Sequence, residues 1–299
     1  VVKKSDGSWN GGWSGFAPTL YTVQHFYTEN GELPEDDPDF FPQSEWYTRF
    51  YEGASSPSLT TDLDGEDVKN DIIKLNAKRE ARFYAWIAYD GCEYAKKINN
   101  GNPLWLNFKN TNTNGWRASD SRNISGTGYL SKKFIDPAIN YTTSGSTNHA
   151  AARRPYIRMA ELYLNLAECY AALNQEGEAL NNLNIIRKRA GIRDLTSADL
   201  SEMSLMDWVR NERFVELFEE GHRYYDLRRW VIAPDMLKAG TRFGLTGLTL
   251  NPTFEEFNTP ILIDQPFKWD TKQYLLPVWS RSDYDELYSN PQMVQAPGY

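Results

Sequence analysis

Apolar and polar positions recur at helical spacing over one long stretch, Arg154 to Trp230, and nowhere else for as long. In Tyr156–Leu173 the polar side chains Arg158, Glu161, Asn165 and Glu168 step by 3, 4 and 3 residues, a single narrow stripe. The rest of that segment is apolar, which predicts a helix buried on most sides. A second helix is predicted from Gly177 to Ala190. Gly191 stands where a left-handed C-cap belongs, and Ile192 where its hydrophobic contact belongs. A third starts at Ser204, with Asp207 three residues on in capping-box spacing, and runs through Trp208, Phe214, Leu217 and Phe218 to Gly221. A shorter fourth covers His222–Trp230.

The first two helices fit a tetratricopeptide-like pair. Tyr163, Leu166, Ala167 and Tyr170 take the packing positions of the first helix, and Ala179, Leu183 and Ile186 those of the second. Only one copy is evident. Such pairs bury their faces against neighbours, so this one must pack on other helices.

The flanks are irregular. Leu20, Val23, Phe26 and Tyr27 predict a short helix after Pro18, closed by Asn30-Gly31. From Glu32 to about Asn70 the residues Pro34, Pro38, Pro42 and Pro57, with Gly and Ser between, break any long element. Phe40, Phe41, Trp46, Tyr47, Phe50 and Tyr51 sit in that stretch, and aromatic density argues against disorder. A loop of this length is then a candidate functional loop. Residues 79–90 alternate as a two-sided apolar strand, and Tyr129–Ala138 reads as another. Between them a polar loop from Asn99 to Gly128 carries Trp105 and Trp116. The predicted fold is mainly α with long irregular loops and a few short strands. It divides into a loop-rich, aromatic part (1–153), a helical scaffold (154–235) and C-terminal loops with short strands (236–299).

Charge narrows the partners. Residues 1–70 hold 13 acidic and 4 basic side chains, a balance of −9 out of −8 for the chain. That concentration repels phosphate backbones and disfavours nucleic acid. The two cysteines, Cys92 and Cys169, have no metal-ligand spacing. Cys169 falls in the apolar helix, where a buried, inert thiol is expected. No run of about 18 apolar residues marks a transmembrane helix, and no signal peptide is visible.

The segment NERFVELFEEGHRYYDLRRW (211–230) sets Glu212, Glu216, Glu219, Glu220 and Asp226 beside Arg213, Arg223, Arg228 and Arg229. Paired carboxylates serve glycoside hydrolysis. Arginine neighbours, however, lower carboxyl pKa values where an acid catalyst needs one raised, so an ion-pair network is the better reading. His25, His149 and His222 are scattered, with no triad or metalloprotease motif. Asp62–Asp67 (DLDGED) clusters oxygen ligands, but Gly65 comes too early for a calcium loop and a solvated turn is favoured. No metal or cofactor is implied. The aromatic loops carry more information. Sugars stack their C–H faces on Trp and Tyr while amides and carboxylates bind the hydroxyls. Trp9, Trp13, Trp46 with Tyr47, and Trp116 stand in such polar company as candidate ligand platforms. Trp208 and Trp230 lie on helices and are expected in the core, as are Trp269 and Trp279.

Several segments together resemble the C-terminal half of SusD/RagB-like nutrient-binding lipoproteins. They are PTLYTVQHFYTENG (18–31), KREARFYAWI (78–87), YLSKKFIDP (129–137), RPYIRMAELYLNLAEC (154–169), IIRKRAGI (185–192), NERFVELFEEGHRYYDLRRW (211–230), YLLPV (274–278) and NPQMVQAPGY (290–299). The resemblance implies a non-enzymatic protein on the extracellular face of an outer membrane, held there by a lipid anchor absent from this chain. It implies an oligosaccharide ligand and a SusC-like TonB-dependent transporter as partner. Family members are generally longer, with further tetratricopeptide-like helices. A helical-repeat module binding a protein or peptide is the alternative from a different class, and a glycosidase is less favoured.

Overall fold

The computed structural model describes residues 2–3, 9–10, 17–50, 72–94, 105–112, 114–115, 125–134, 155–238, 240–263, 269–277, 292 and 294–298. In chain order the elements are β1 (Val2–Lys3), β2 (Trp9–Asn10), α1 (Leu20–His25), β3 (Arg49–Phe50), β4 (Ile72–Ile73), α2 (Ala81–Trp86), β5 (Ile87–Tyr89) and β6 (Tyr129–Ser131). They continue with α3 (Met159–Ala172), α4 (Glu176–Ala190), α5 (Leu205–Glu216), α6 (His222–Arg229), α7 (Ala233–Met236), β7 (Phe243–Leu245), α8 (Phe254–Phe257) and β8 (Pro260–Leu262). The described strands form two-stranded antiparallel ladders, β1 with β2, β3 with β4, β5 with β6 and β7 with β8. The architecture is therefore mainly helical with short strand pairs.

By its internal contacts the chain divides into two units. One is Val1–Glu220 with Arg242–Ile263; the other is Gly221–Thr241 with Asp264–Tyr299. The first has two apolar clusters. Leu164, Ala167, Leu183, Ile186, Trp208 and Val209 join α3, α4 and α5, and Tyr27 stacks on Trp208 with ring centroids 6.1 Å apart. Burying each Leu or Ile of this kind stabilises the fold by about 1.5–3 kcal/mol. The second cluster gathers the loop-borne aromatics Phe26, Phe40, Trp46, Phe83, Tyr129 and Phe257 around Ile73, Leu75 and Ile87.

Helix ends follow their local chemistry. Thr19, one residue after Pro18, caps α1 by accepting from the Thr22 amide. Gly191 ends α4 at φ 79°, where the Ile192 amide reaches back to the Arg187 carbonyl. Ser204 caps α5 by accepting from the Asp207 amide at 3.2 Å. The reciprocal arm differs from a full capping box, because the Asp207 carboxylate accepts the Ser204 hydroxyl instead of its backbone amide.

Four expectations need correction. Residues 79–90 are not one strand: Ala81–Trp86 is a helix turning directly into β5. Arg79, Glu80 and Arg82 are all buried there, so inward-facing positions look polar and hide the helical period. Cys169 is exposed on α3, while Cys92 is the buried thiol, and both are free. Helix α3 is covered on one side only. Ala160, Leu164 and Ala167 face α4 and α5, and the opposite side is open among the described residues. Trp208 is core at 1% exposure, whereas Trp230 and Trp269 are half-buried and Trp279 lies outside the described residues.

Candidate functional site

The aromatic loop ahead of β3 is closed by Trp46. Its indole N–H donates to the Phe41 carbonyl at 2.8 Å, and its own carbonyl accepts the Leu75 amide at 2.9 Å. The ring is 2% exposed. Both faces are thus used by the core, and Trp46 is the loop's anchor, not a platform for a ligand. Tyr47 is half-buried, with its ring packed on the core and its hydroxyl accepting from Gln24 Nε2 at 3.3 Å. Burial raises its pKa, so the hydroxyl stays protonated and able to donate as well. Around this loop cations sit over aromatic faces. Lys74 and Lys78 lie 5.4 and 5.3 Å from the Phe41 centroid, and Arg49 lies 4.0 Å from that of Phe254.

A second candidate surface is the amide-rich turn leading towards Trp116. Asn110 Oδ1 accepts the Asn112 amide at 2.8 Å, and Asn251 Oδ1 accepts the Thr111 amide at 3.0 Å. Gly115 closes the turn by donating to the Asn110 carbonyl at 2.7 Å, and a Cβ there would stand 2.5 Å from that carbonyl. Only glycine fits. Asp90 supports the base of the turn, accepting the Phe108 amide at 2.6 Å and pairing with Lys109. Trp13 and Trp116 lie outside the described residues, and Trp9 is described only through its backbone in β2. The Asp62–Asp67 segment also lies outside them.

The carboxylates of α5 form a structural network. Arg82 on α2 donates to Glu80 and Glu212 at 2.6 Å and to Glu216 at 2.9 Å. Glu216 also receives Arg158 and Arg189, and Glu220 receives Arg158 and Lys133. Glu80, Glu212 and Glu216 have fully buried side chains. Burial alone would push Glu216 upward, but Arg82, Arg158 and Arg189 outweigh it and hold the carboxyl below its ordinary value. Glu80 goes the other way, raised chiefly by burial, yet its oxygens are taken by Arg82 and by the Tyr27 amide. A carboxylate locked in this way cannot reach a substrate. Sequence spacing indicated the α5 side of the network but not Arg82 or Glu80, which come from the segment misread as a strand.

The model of the SusD family matches residues 2–299. The chain belongs to the SusD family. Among solved structures, the selenomethionine form of the protein designated BT4246 is 48% identical, with a TM-score of 0.85 over 99% of this chain and 48% of its own. A SusD-like carbohydrate binding protein from Bacteroides fragilis NCTC 9343 is 22% identical, with a TM-score of 0.52 over 78% of this chain and 39% of its own, which shows a shared fold. SusD-like protein P25 of Formosa agariphila is 34% identical over 102 residues, 33% of this chain and 19% of that protein. This SusD-family chain therefore spans about half the length of the solved relative BT4246. Within it the buried Arg/Glu network ties α2, α4 and α5 to the N-terminal end of α3.

Proposed function

We propose that this chain forms part of a cell-surface glycan-binding protein that delivers oligosaccharide to a SusC-like TonB-dependent transporter, without making or breaking bonds. The family match over residues 2–299 carries this reading. The carbohydrate-binding description of the Bacteroides fragilis relative supports the ligand class. Stacking on Tyr47, Trp9, Trp13 and Trp116 would supply affinity, with the Asn110–Asn112 amides binding hydroxyls. Trp46 would act by holding Tyr47 in place. The engagement of Glu80, Glu212 and Glu216 with arginines fits binding over hydrolysis. The protein would work on the extracellular face of the outer membrane, tethered by a lipid.

Isothermal titration against a panel of polysaccharides tests the ligand. Affinity electrophoresis of Tyr47→Ala and Trp116→Ala tests the surface, and co-purification tests the transporter. Absence of heat with every glycan, together with unchanged mobility of both variants, would overturn the proposal.

A further inference from the structure

Just after α1, where the chain meets α2 and α5, three buried polar atoms find no partner among the described residues. They are Tyr27 Oη, Arg82 Nη2 and Asn211 Oδ1. Tyr27 is 0% exposed, Arg82 5% and Asn211 7%, so bulk solvent reaches none of these atoms. An interior polar atom without a hydrogen bond is costly, and a guanidinium nitrogen most of all. The rest of each side chain is already fixed. Arg82 uses Nε on Glu80 and Nη1 on Glu212 and Glu216, which leaves Nη2 over. Asn211 Nδ2 donates to the His25 carbonyl at 3.1 Å, and an oxygen that can only accept prevents the amide from being turned round. Tyr27 keeps its proton, because burial and Glu212 both raise its pKa, and so can donate as well as accept. The three share one neighbourhood. Asn211 precedes Glu212, which Arg82 holds at 2.6 Å, and its amide bonds the chain two residues before Tyr27. Arg82 Cζ stands 5.9 Å from the Tyr27 ring centroid, well beyond the 4.0 Å of Arg49 over Phe254, so guanidinium and ring are not in stacking contact.

We propose that these three side chains form a binding site for one internal water, which accepts from Arg82 Nη2, donates to Asn211 Oδ1 and bonds Tyr27 Oη. Three bonds are the usual number for a buried water. Other small ligands fit the donor set badly. Glu80, Glu212 and Glu216 surround the same guanidinium and repel an anion. Arg82 repels a cation, as does Arg187, whose Cζ lies 4.8 Å from the Tyr27 centroid. An apolar guest would leave all three atoms unbonded. With the water in place every nitrogen of Arg82 is bonded, and the segment after α1 is tied to α2 and α5 through solvent as well as directly. The site is separate from the aromatic loops, and its test needs no glycan.

A crystal structure of the natural full-length polypeptide containing this chain, at a resolution that shows ordered solvent, tests the site. One solvent peak is expected roughly 2.7–3.2 Å from Arg82 Nη2 and at a similar distance from Asn211 Oδ1 or Tyr27 Oη. Tyr27→Phe should keep the peak on its remaining partners with a higher B-factor, and Tyr27→Phe combined with Asn211→Leu should lose it. In solution, oxygen-17 relaxation dispersion, which counts long-lived internal waters, should read about one water fewer in the double variant. Should the double variant fail to fold, the wild-type peak alone decides. Tyr27 Oη bonded directly to Asn211 Oδ1, with Arg82 Nη2 on a protein oxygen and no solvent between them, overturns the proposal. So does a peak that stays unmoved in the folded double variant, which would show that neither side chain holds it.

Discussion

Arg82 donates to Glu212 at 2.6 Å across 130 residues of sequence, so one guanidinium fastens the loop-bearing part of the chain to helix α5. The same group holds Glu80 and Glu216. Arg82→Met would leave three buried carboxylates short of their shared cation. It is expected to destabilise the fold by about 3–5 kcal/mol, read from urea unfolding. Arg82→Lys should recover only part of this, since an ammonium lacks the planar fork that reaches three acceptors. A loss below about 1 kcal/mol for the Met variant would mean that the bonds do not act together.

Trp46 and Tyr47 are adjacent but should respond differently. Trp46→Phe keeps most of the buried ring and loses the bond to the Phe41 carbonyl, costing about 1 kcal/mol. Trp46→Ala should cost about 3–5 kcal/mol. Glycan retention by the folded Trp46→Phe protein is expected to match the wild type, because the ring offers no face to a ligand. A selective loss of retention at unchanged stability would contradict the anchoring role.

Lys133 gives a pH signature. Burial pushes its ammonium down to about 8 from 10.5, only partly offset by Glu220. Between those values the unfolded chain holds a proton that the folded chain has released, so this lysine makes stability rise with pH across that window. Below it both states are protonated and the contribution is flat. Denaturant midpoints at pH 8 and 10.5 should therefore separate wild type from Lys133→Met progressively in favour of the wild type. Taking the difference between the two proteins cancels the tyrosines that titrate nearby. A pH-independent difference would show that Lys133 titrates normally.

Two glycines should give opposite results. Gly128 has φ +77°, and a Cβ there would meet Leu245 Cβ at 2.7 Å. Gly128→Ala is expected to lower stability by about 1–2 kcal/mol from backbone strain before any packing shift. Gly177 lies in α4 with nothing within 4 Å of its missing Cβ. Gly177→Ala should raise stability by about 0.4–1 kcal/mol. Thermal unfolding of the pair is the check, and a shift of the same sign in both would refute the geometric distinction.

The helices were legible where end signals and apolar period agree. Gly191 at φ 79° and Ser204 bonded to the Asp207 amide stand where the residue types indicate. Reading failed at residues 79–90, because Arg79, Glu80 and Arg82 occupy inward positions usually filled by apolar side chains. Their partners are distant in sequence, and no local pattern marks them. Cys169 failed for a related reason: apolar character identifies a face that wants cover, but not whether these residues supply it. In the candidate site, aromatic residue type pointed to the loops but could not divide Trp46 from Tyr47. One rotates inward to its own loop's carbonyl and the other keeps an edge outside, and that difference depends on Leu75, Phe41 and Gln24.

The loop from Phe41 to Trp46 is clamped at its ends by the indole–carbonyl bond, while Pro42, Gln43 and Ser44 between them are exposed. That makes it an exchangeable cassette. Sequence between the clamps can be randomised or lengthened, at a closure cost that grows only slowly with loop length. Libraries built there, with Phe41, Trp46 and Leu75 untouched, would sample new surfaces on an unchanged frame.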